Sequence, residues 1–82
     1  MTTTTMQILK VGNVDTSRGH WIVLRKDDDC IGGHYGQYYY LETMGGRVVK
    51  VEHIDTFNIA EALMRAGATA RLYGAKLIPD LF

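Results

Sequence analysis

Cys30 and His34 stand in a C-x3-H spacing within DDDCIGGHYGQYYY (residues 27–40), directly after Asp27, Asp28 and Asp29. Thiolate, imidazole and carboxylate are the side chains that bind transition metals. A structural zinc site takes four ligands, usually as two closely spaced pairs. Here the second pair is missing, and His20 and His53 would have to come in from elsewhere in the chain. The aspartate run also lacks the alternating oxygen ligands and closing glutamate of a calcium loop. Cys30 with His34 or His20 as base is a candidate nucleophile. Adjacent negative charge opposes this, because it raises a thiol's pKa and disfavours the thiolate. Gly32, Gly33 and Gly36 suggest a phosphate cradle. The loop matches neither glycine-rich phosphate motif and leads into a strand rather than a helix. The stretch therefore reads as a surface loop between strands, with no catalytic residue, no metal ligand and no cofactor expected.

Two binding chemistries remain. Trp21, Tyr39, Arg47 and Lys50 place rings and cations on β-rich segments, as stacking platforms for single-stranded nucleic acid do. Against this, nine basic residues are matched by nine acidic ones. A chain without net positive charge lacks the global term that drives nucleic-acid affinity. Nucleic-acid binding is thus the alternative reading. Protein binding is the leading one. Tyrosine offers large contact area at low entropy cost while keeping a polar tip. Consecutive residues of a strand face opposite sides of a sheet, so Tyr38, Tyr39 and Tyr40 cannot all be core. The expected contact residues are Asp27, Asp28, Asp29 and Tyr35 on the loop and Tyr39 on the sheet, with the acidic run suited to a basic groove on a partner.

The elements that must position these residues follow from pattern. Residues 2–5 are a polar run with nothing to bury, expected to fray. MQILKV (6–11) suits a strand, and GNVDTSRG (12–19) is a turn cluster. HWIVLRK (20–26) is a strand whose continuous apolar run predicts burial on both faces. YYYLETM (38–44) and RVVKVEHI (47–54) flank Gly45-Gly46, a two-residue hairpin signal. That loop length sets Met44 opposite Arg47, Glu42 opposite Val49, Tyr40 opposite Val51 and Tyr38 opposite His53. One helix follows. Asp55 or Thr56 can cap it, with Asn58 and Glu61 a competing start. Phe57, Ala60, Leu63 and Met64 form the expected apolar stripe, and Gly67 the expected end. TARLYGAKLI (69–78) reads as one or two short strands that Pro79 stops.

The predicted fold class is α+β, a β-β-β-β-α-β chain forming an antiparallel sheet of four to five strands with one helix on one face. Residues 1–82 make one domain. A chain this short buries only roughly 60–65% of its unfolded surface, so a deep, dry active site is hard to fit beside a core. Leu81 and Phe82 end the chain and must pack back or be buried by a second copy, a possible homo-oligomer contact. The lone Cys30 forms no internal disulfide, and no leader or membrane-spanning apolar run is evident. A soluble cytoplasmic protein without membrane contact is expected.

Short, neutral, free of cofactor motifs, and built as a hairpin sheet plus one helix, the chain resembles small phage-encoded anti-CRISPR-type inhibitors. The resemblance is one of general character. Neither GGHYGQYYY nor FNIAEALMRAG is a defining motif of that group, and no functional residue is carried over. It implies a non-enzymatic inhibitor that binds and blocks a host defence protein or ribonucleoprotein complex, in the host cytoplasm if phage-encoded.

Overall fold

The computed structural model describes residues 14–30 and 34–80. In order these form β1 (His20–Lys26), β2 (Tyr38–Met44), β3 (Arg47–Ile54), the helix α1 (Ile59–Tyr73) and β4 (Lys76–Pro79). The strand expected at 6–11, the fraying expected at 2–5, and Leu81 and Phe82 all lie outside the described residues.

The strands lie in the order β3-β2-β1-β4. β1, β2 and β3 form an antiparallel meander, whereas β4 runs parallel to β1. The sheet is therefore mixed, which corrects the antiparallel expectation. The cause is the helix. Two hairpin reversals leave β3 pointing the same way as β1. The crossover helix reverses the chain once more and β4 reverses it again, so β4 regains the direction of β1. Among the described residues β4 is an edge strand, where the missing N–H of Pro79 costs no ladder bond.

Gly45 and Gly46, both at positive φ, close the β2–β3 hairpin as expected. Its register differs from the expected one. Met44 opposes Arg47 and Thr43 opposes Val48, but Glu42 then opposes Lys50, leaving Val49 as a bulge. Beyond the bulge Leu41 opposes Val51, Tyr39 opposes His53 and Tyr38 opposes Ile54. A bulge inserts one residue on one strand only, so every later side chain of β3 changes face.

The helix covers the face that carries Ile22, Leu24, Tyr38, Tyr40 and Ile54. It meets them through Ala62, Ala66 and Ala70, one residue per turn, with Leu63 beside them. The expected stripe is corrected: Ala60 and Met64 point to solvent and Phe57 precedes the helix. Alanine brings the helix close to the sheet, and the large side chains come from the strands. Burying each of those side chains stabilises the fold by about 1.5–3 kcal/mol. On the opposite face Val23, Leu41 and Ile78 form a second buried cluster flanked by Trp21 and Tyr39. β1 is thus buried on both sides, as its continuous apolar run predicted.

Asn58 caps the helix, its side chain accepting from the N–H groups of Ala60 and Glu61 at 2.8 and 3.2 Å. The competing start was the real one. Thr56 helps from outside, its hydroxyl accepting from the Asn58 N–H at 3.1 Å. The helix does not stop at Gly67. It runs on to Gly74, which sits at φ 65, with the Ala75 N–H reaching back to the Ala70 carbonyl at 2.7 Å. That bond and the left-handed glycine make a Schellman ending. Residues 69–73 are therefore helix rather than strand. Packing of Ala70 and the need to reach β4 outweigh the roughly 1 kcal/mol that a mid-helix glycine costs.

A Cβ on Gly67 would meet only Arg71 and Leu77 side-chain atoms at 3.9 Å, an ordinary contact. Gly67→Ala should therefore stabilise the protein by about 0.5–1 kcal/mol. Ala66→Leu, at a fully buried helix–sheet contact, should destabilise it by about 1–3 kcal/mol. Urea unfolding of both variants checks the pair; equal shifts of the same sign would refute the packing described.

Candidate functional site

The loop between β1 and β2 is tied at its neck. The Asp27 N–H donates to the Gln37 carbonyl at 2.8 Å, and the Gly36 N–H donates to the Asp27 carbonyl at 2.7 Å. The Gln37 N–H donates to the His34 carbonyl at 2.8 Å. Asp27 itself is only 3% exposed, and its carboxylate accepts from the His34 N–H at 3.3 Å. Its expected role as a partner contact is corrected: this aspartate holds the loop together from inside. Asp28 and Asp29 remain on the outside. Buried ties of this kind are expensive to break, because the remaining partner is left unsatisfied.

A second set of contacts fastens the loop to β3. His34 stacks on His53 with ring centroids 4.3 Å apart and planes 27° apart. Tyr39, the cross-strand partner of His53, leans on the same ring at 5.8 Å. Gln37 bridges the two segments. Its amide nitrogen donates to Asp55 at 2.8 Å, which leaves its oxygen to accept from His34 Nδ1 at 3.0 Å. That arrangement places a proton on His34 Nδ1. The bulge at Val49 makes this cluster possible, since it turns His53 to the side of Tyr39 and away from the helix.

Cys30 is exposed and takes left-handed backbone at φ 57. His20, the other candidate base, lies on the helix side, where its Nε2 meets Glu42 at 2.7 Å and its ring stacks on Tyr73 at 5.8 Å. Among the described residues no group of three or more His, Cys, Asp and Glu side chains is arranged to hold a metal ion. Gly32 and Gly33 lie outside the described residues.

The aromatic and basic residues suggested for nucleic acid do not share a surface. Trp21 and Tyr39 are on the face away from the helix, while Arg47 and Lys50 pair with Met44 and Glu42 on the helix-bearing face. Trp21 is also engaged. Its indole N–H donates to the Arg18 carbonyl at 2.8 Å, and the Lys76 ammonium sits 5.3 Å from its ring. Lys50 lies 3.0 Å from Glu52. The hydrogen bond to that carboxylate, and then its charge, raise the Lys50 pKa above the ordinary lysine value.

Helical spacing places Phe57 in the apolar stripe, and the structure places it elsewhere. It precedes the N-cap, where an apolar residue often clasps the fourth helical position. That position is Ala62, which is wholly buried. The Phe57 ring lies instead over Gly36, where an added Cβ would come within 3.3 Å of it. Phe57 stays 70% exposed and Tyr35, on the other side of the glycine in sequence, 66% exposed. With Ile59, Asp28 and Asp29 also exposed, this end of the sheet is aromatic with an acidic border. The sequence did hold a signal: a short Ala62 could not hold Phe57.

Between α1 and β3 an open groove of about 330 Å³ is lined by Tyr40, Glu52, His53, Ile54, Arg65, Ala68 and Thr69. Glu52, Arg65 and Thr69 are each engaged within their own element. Arg65 meets Glu61 at 3.4 Å, and the Thr69 hydroxyl donates to the Arg65 carbonyl at 3.1 Å. Among the described residues no helix is long and apolar enough to cross a membrane.

Asp27→Ala should lower stability by about 1–3 kcal/mol, whereas Asp29→Ala should stay within about 0.5 kcal/mol of the parent. Thermal or urea unfolding distinguishes the two, and equal effects would remove the inner role given to Asp27. No protein-family model, curated protein or solved structure matches the chain.

Proposed function

We propose that the protein is a non-enzymatic binding module for another protein, acting through the sheet end built from the β1–β2 loop and the β3–α1 connection. The observation that carries this reading is the pair Tyr35 and Phe57, left about two-thirds exposed around Gly36 on a tied-down loop. Aromatic side chains on an already ordered segment lose little entropy on binding, which is what favours them as interface anchors. Asp28 and Asp29 border them and suit a basic groove on the partner. Tyr39, half-buried against His53, is a secondary contact at the margin.

The narrower proposal is inhibition. A partner that holds nucleic acid in a basic groove, such as a host defence ribonucleoprotein, would accept an acidic loop with protruding rings. The resemblance in general character to anti-CRISPR-type inhibitors supports this target class and nothing finer. Direct nucleic-acid binding has less support, because the candidate rings and cations are on opposite faces of the sheet.

The test uses the immobilised protein in a bacterial lysate at moderate salt, beside the variant Asp28→Ala/Tyr35→Ala and the single variant Phe57→Ala. The expected result is one stoichiometric protein or ribonucleoprotein, retained by the parent and reduced at least about tenfold by the double variant with unchanged melting. Equal retention by parent and double variant would place the contact elsewhere. Retention of nucleic acid alone, falling steeply with added salt, would favour the alternative.

A further inference from the structure

The two edges of the sheet differ. β4 is four residues long, carries Pro79 and is tied to β1 by Arg25 and Asp80 at 2.8 Å. Short length and proline are ordinary protections of an edge. β3 is eight residues long and, among the described residues, hydrogen-bonded only to β2. Val48, Val49 and Val51 are each about half exposed along it. The helix packs over β1, β4 and β2 and reaches β3 at its end, where Ile54 joins the core, leaving Val48, Val49 and Val51 outside its cover.

Only two charged side chains lie within the run beyond the bulge, Lys50 and Glu52, and they are two residues apart on one face. In one chain they pair with each other at 3.0 Å. Their spacing has a consequence for a second copy. When two identical strands pair antiparallel about a two-fold axis, a residue on the axis opposes itself and its neighbours exchange partners. An axis at Lys50 would set lysine against lysine, and an axis at Glu52 would set glutamate against glutamate. An axis at Val51 sets Lys50 against Glu52 of the other copy and Glu52 against its Lys50. Val51 then meets Val51 on the opposite face. Opposite charges across a ladder stabilise it and like charges destabilise it.

We propose that β3 is the seam of a homodimer, paired antiparallel to β3 of a second copy with Val51 on the two-fold axis, so that two four-stranded sheets become one continuous sheet. The occupant is a second copy of this chain because the edge is complementary in charge to itself in that register and in neither neighbouring one. The chain's zero formal charge leaves no net repulsion to overcome. The seam lies apart from the aromatic sheet end and does not depend on the function proposed for it.

Sedimentation velocity of the full chain over a concentration series tests this, using the parent, Lys50→Glu, Glu52→Lys and an equimolar mixture of the two variants. The parent is expected to show a reversible monomer–dimer equilibrium. Each variant alone sets like charges against each other at two symmetry-related places and should raise the dissociation constant by about tenfold or more. The mixture restores opposite charges across the seam, so a heterodimer should form with about the parent's affinity. Because neither variant keeps its own internal Lys50–Glu52 pair, that rescue cannot come from within one chain. A parent that stays monomeric at every concentration would overturn the proposal. So would dimerisation insensitive to either variant, or a mixture that fails to associate.

Discussion

The single bulge at Val49 decides what each face of this sheet does. A two-residue hairpin without it would set Tyr38 opposite His53 and Tyr40 opposite Val51. His53 would then lie under the helix, and Ile54 would leave the core. With the bulge, Ile54 joins Ile22, Leu24, Tyr38 and Tyr40 beneath the alanines of the helix. His53 turns to the other side, where it receives His34 and Tyr39. Lys50 and Glu52 come together on the helix-bearing face. One inserted residue thus places the core, the loop clasp and the charges of β3. Bulges near sheet edges commonly redirect side chains in this way.

The second constraint is size. A small chain buries a modest share of its surface, so one helix must serve both as lid and as crossover. A fifteen-residue helix is roughly 22 Å long, enough to carry the chain across the sheet from one edge to the other. It leaves Val48, Val49 and Val51 of β3 exposed and opens the groove beside Arg65 and Thr69. The small residues at 62, 66 and 70 set the depth of contact. The same economy explains the site. With little interior to spare, exposed rings and carboxylates on a tied loop are what the fold can offer a partner.

Much of the architecture could be read from the residues. The doubly buried run at Ile22, Val23 and Leu24, the Gly45-Gly46 turn and the Asn58 cap are local signals with local causes. The register of β3 was not legible, because nothing in RVVKVEHI marks Val49 as the residue to be left unpaired; the helix packing chooses it. The length of the helix was hidden for a similar reason. Gly67 looks like a terminus until Ala70 is seen against the strands. The direction of β4 depends on a crossover that no local pattern reveals. At the loop, exposure of Asp28, Asp29 and Tyr35 followed from composition, whereas the inward turn of Asp27 needed the backbone of Gly36 and Gln37. Phe57 was missed because helical spacing claimed it for the core, although its natural clasp partner was only an alanine.

The bulge is the most direct point at which to test this account. Backbone nuclear Overhauser contacts across the β2–β3 hairpin report the register residue by residue. The account predicts that Val51 connects to Leu41, His53 to Tyr39 and Ile54 to Tyr38, while Val48 still connects to Thr43. Contacts from Val51 to Tyr40 and from His53 to Tyr38 would contradict it. They would move Ile54 out of the core and detach the histidine clasp from the loop.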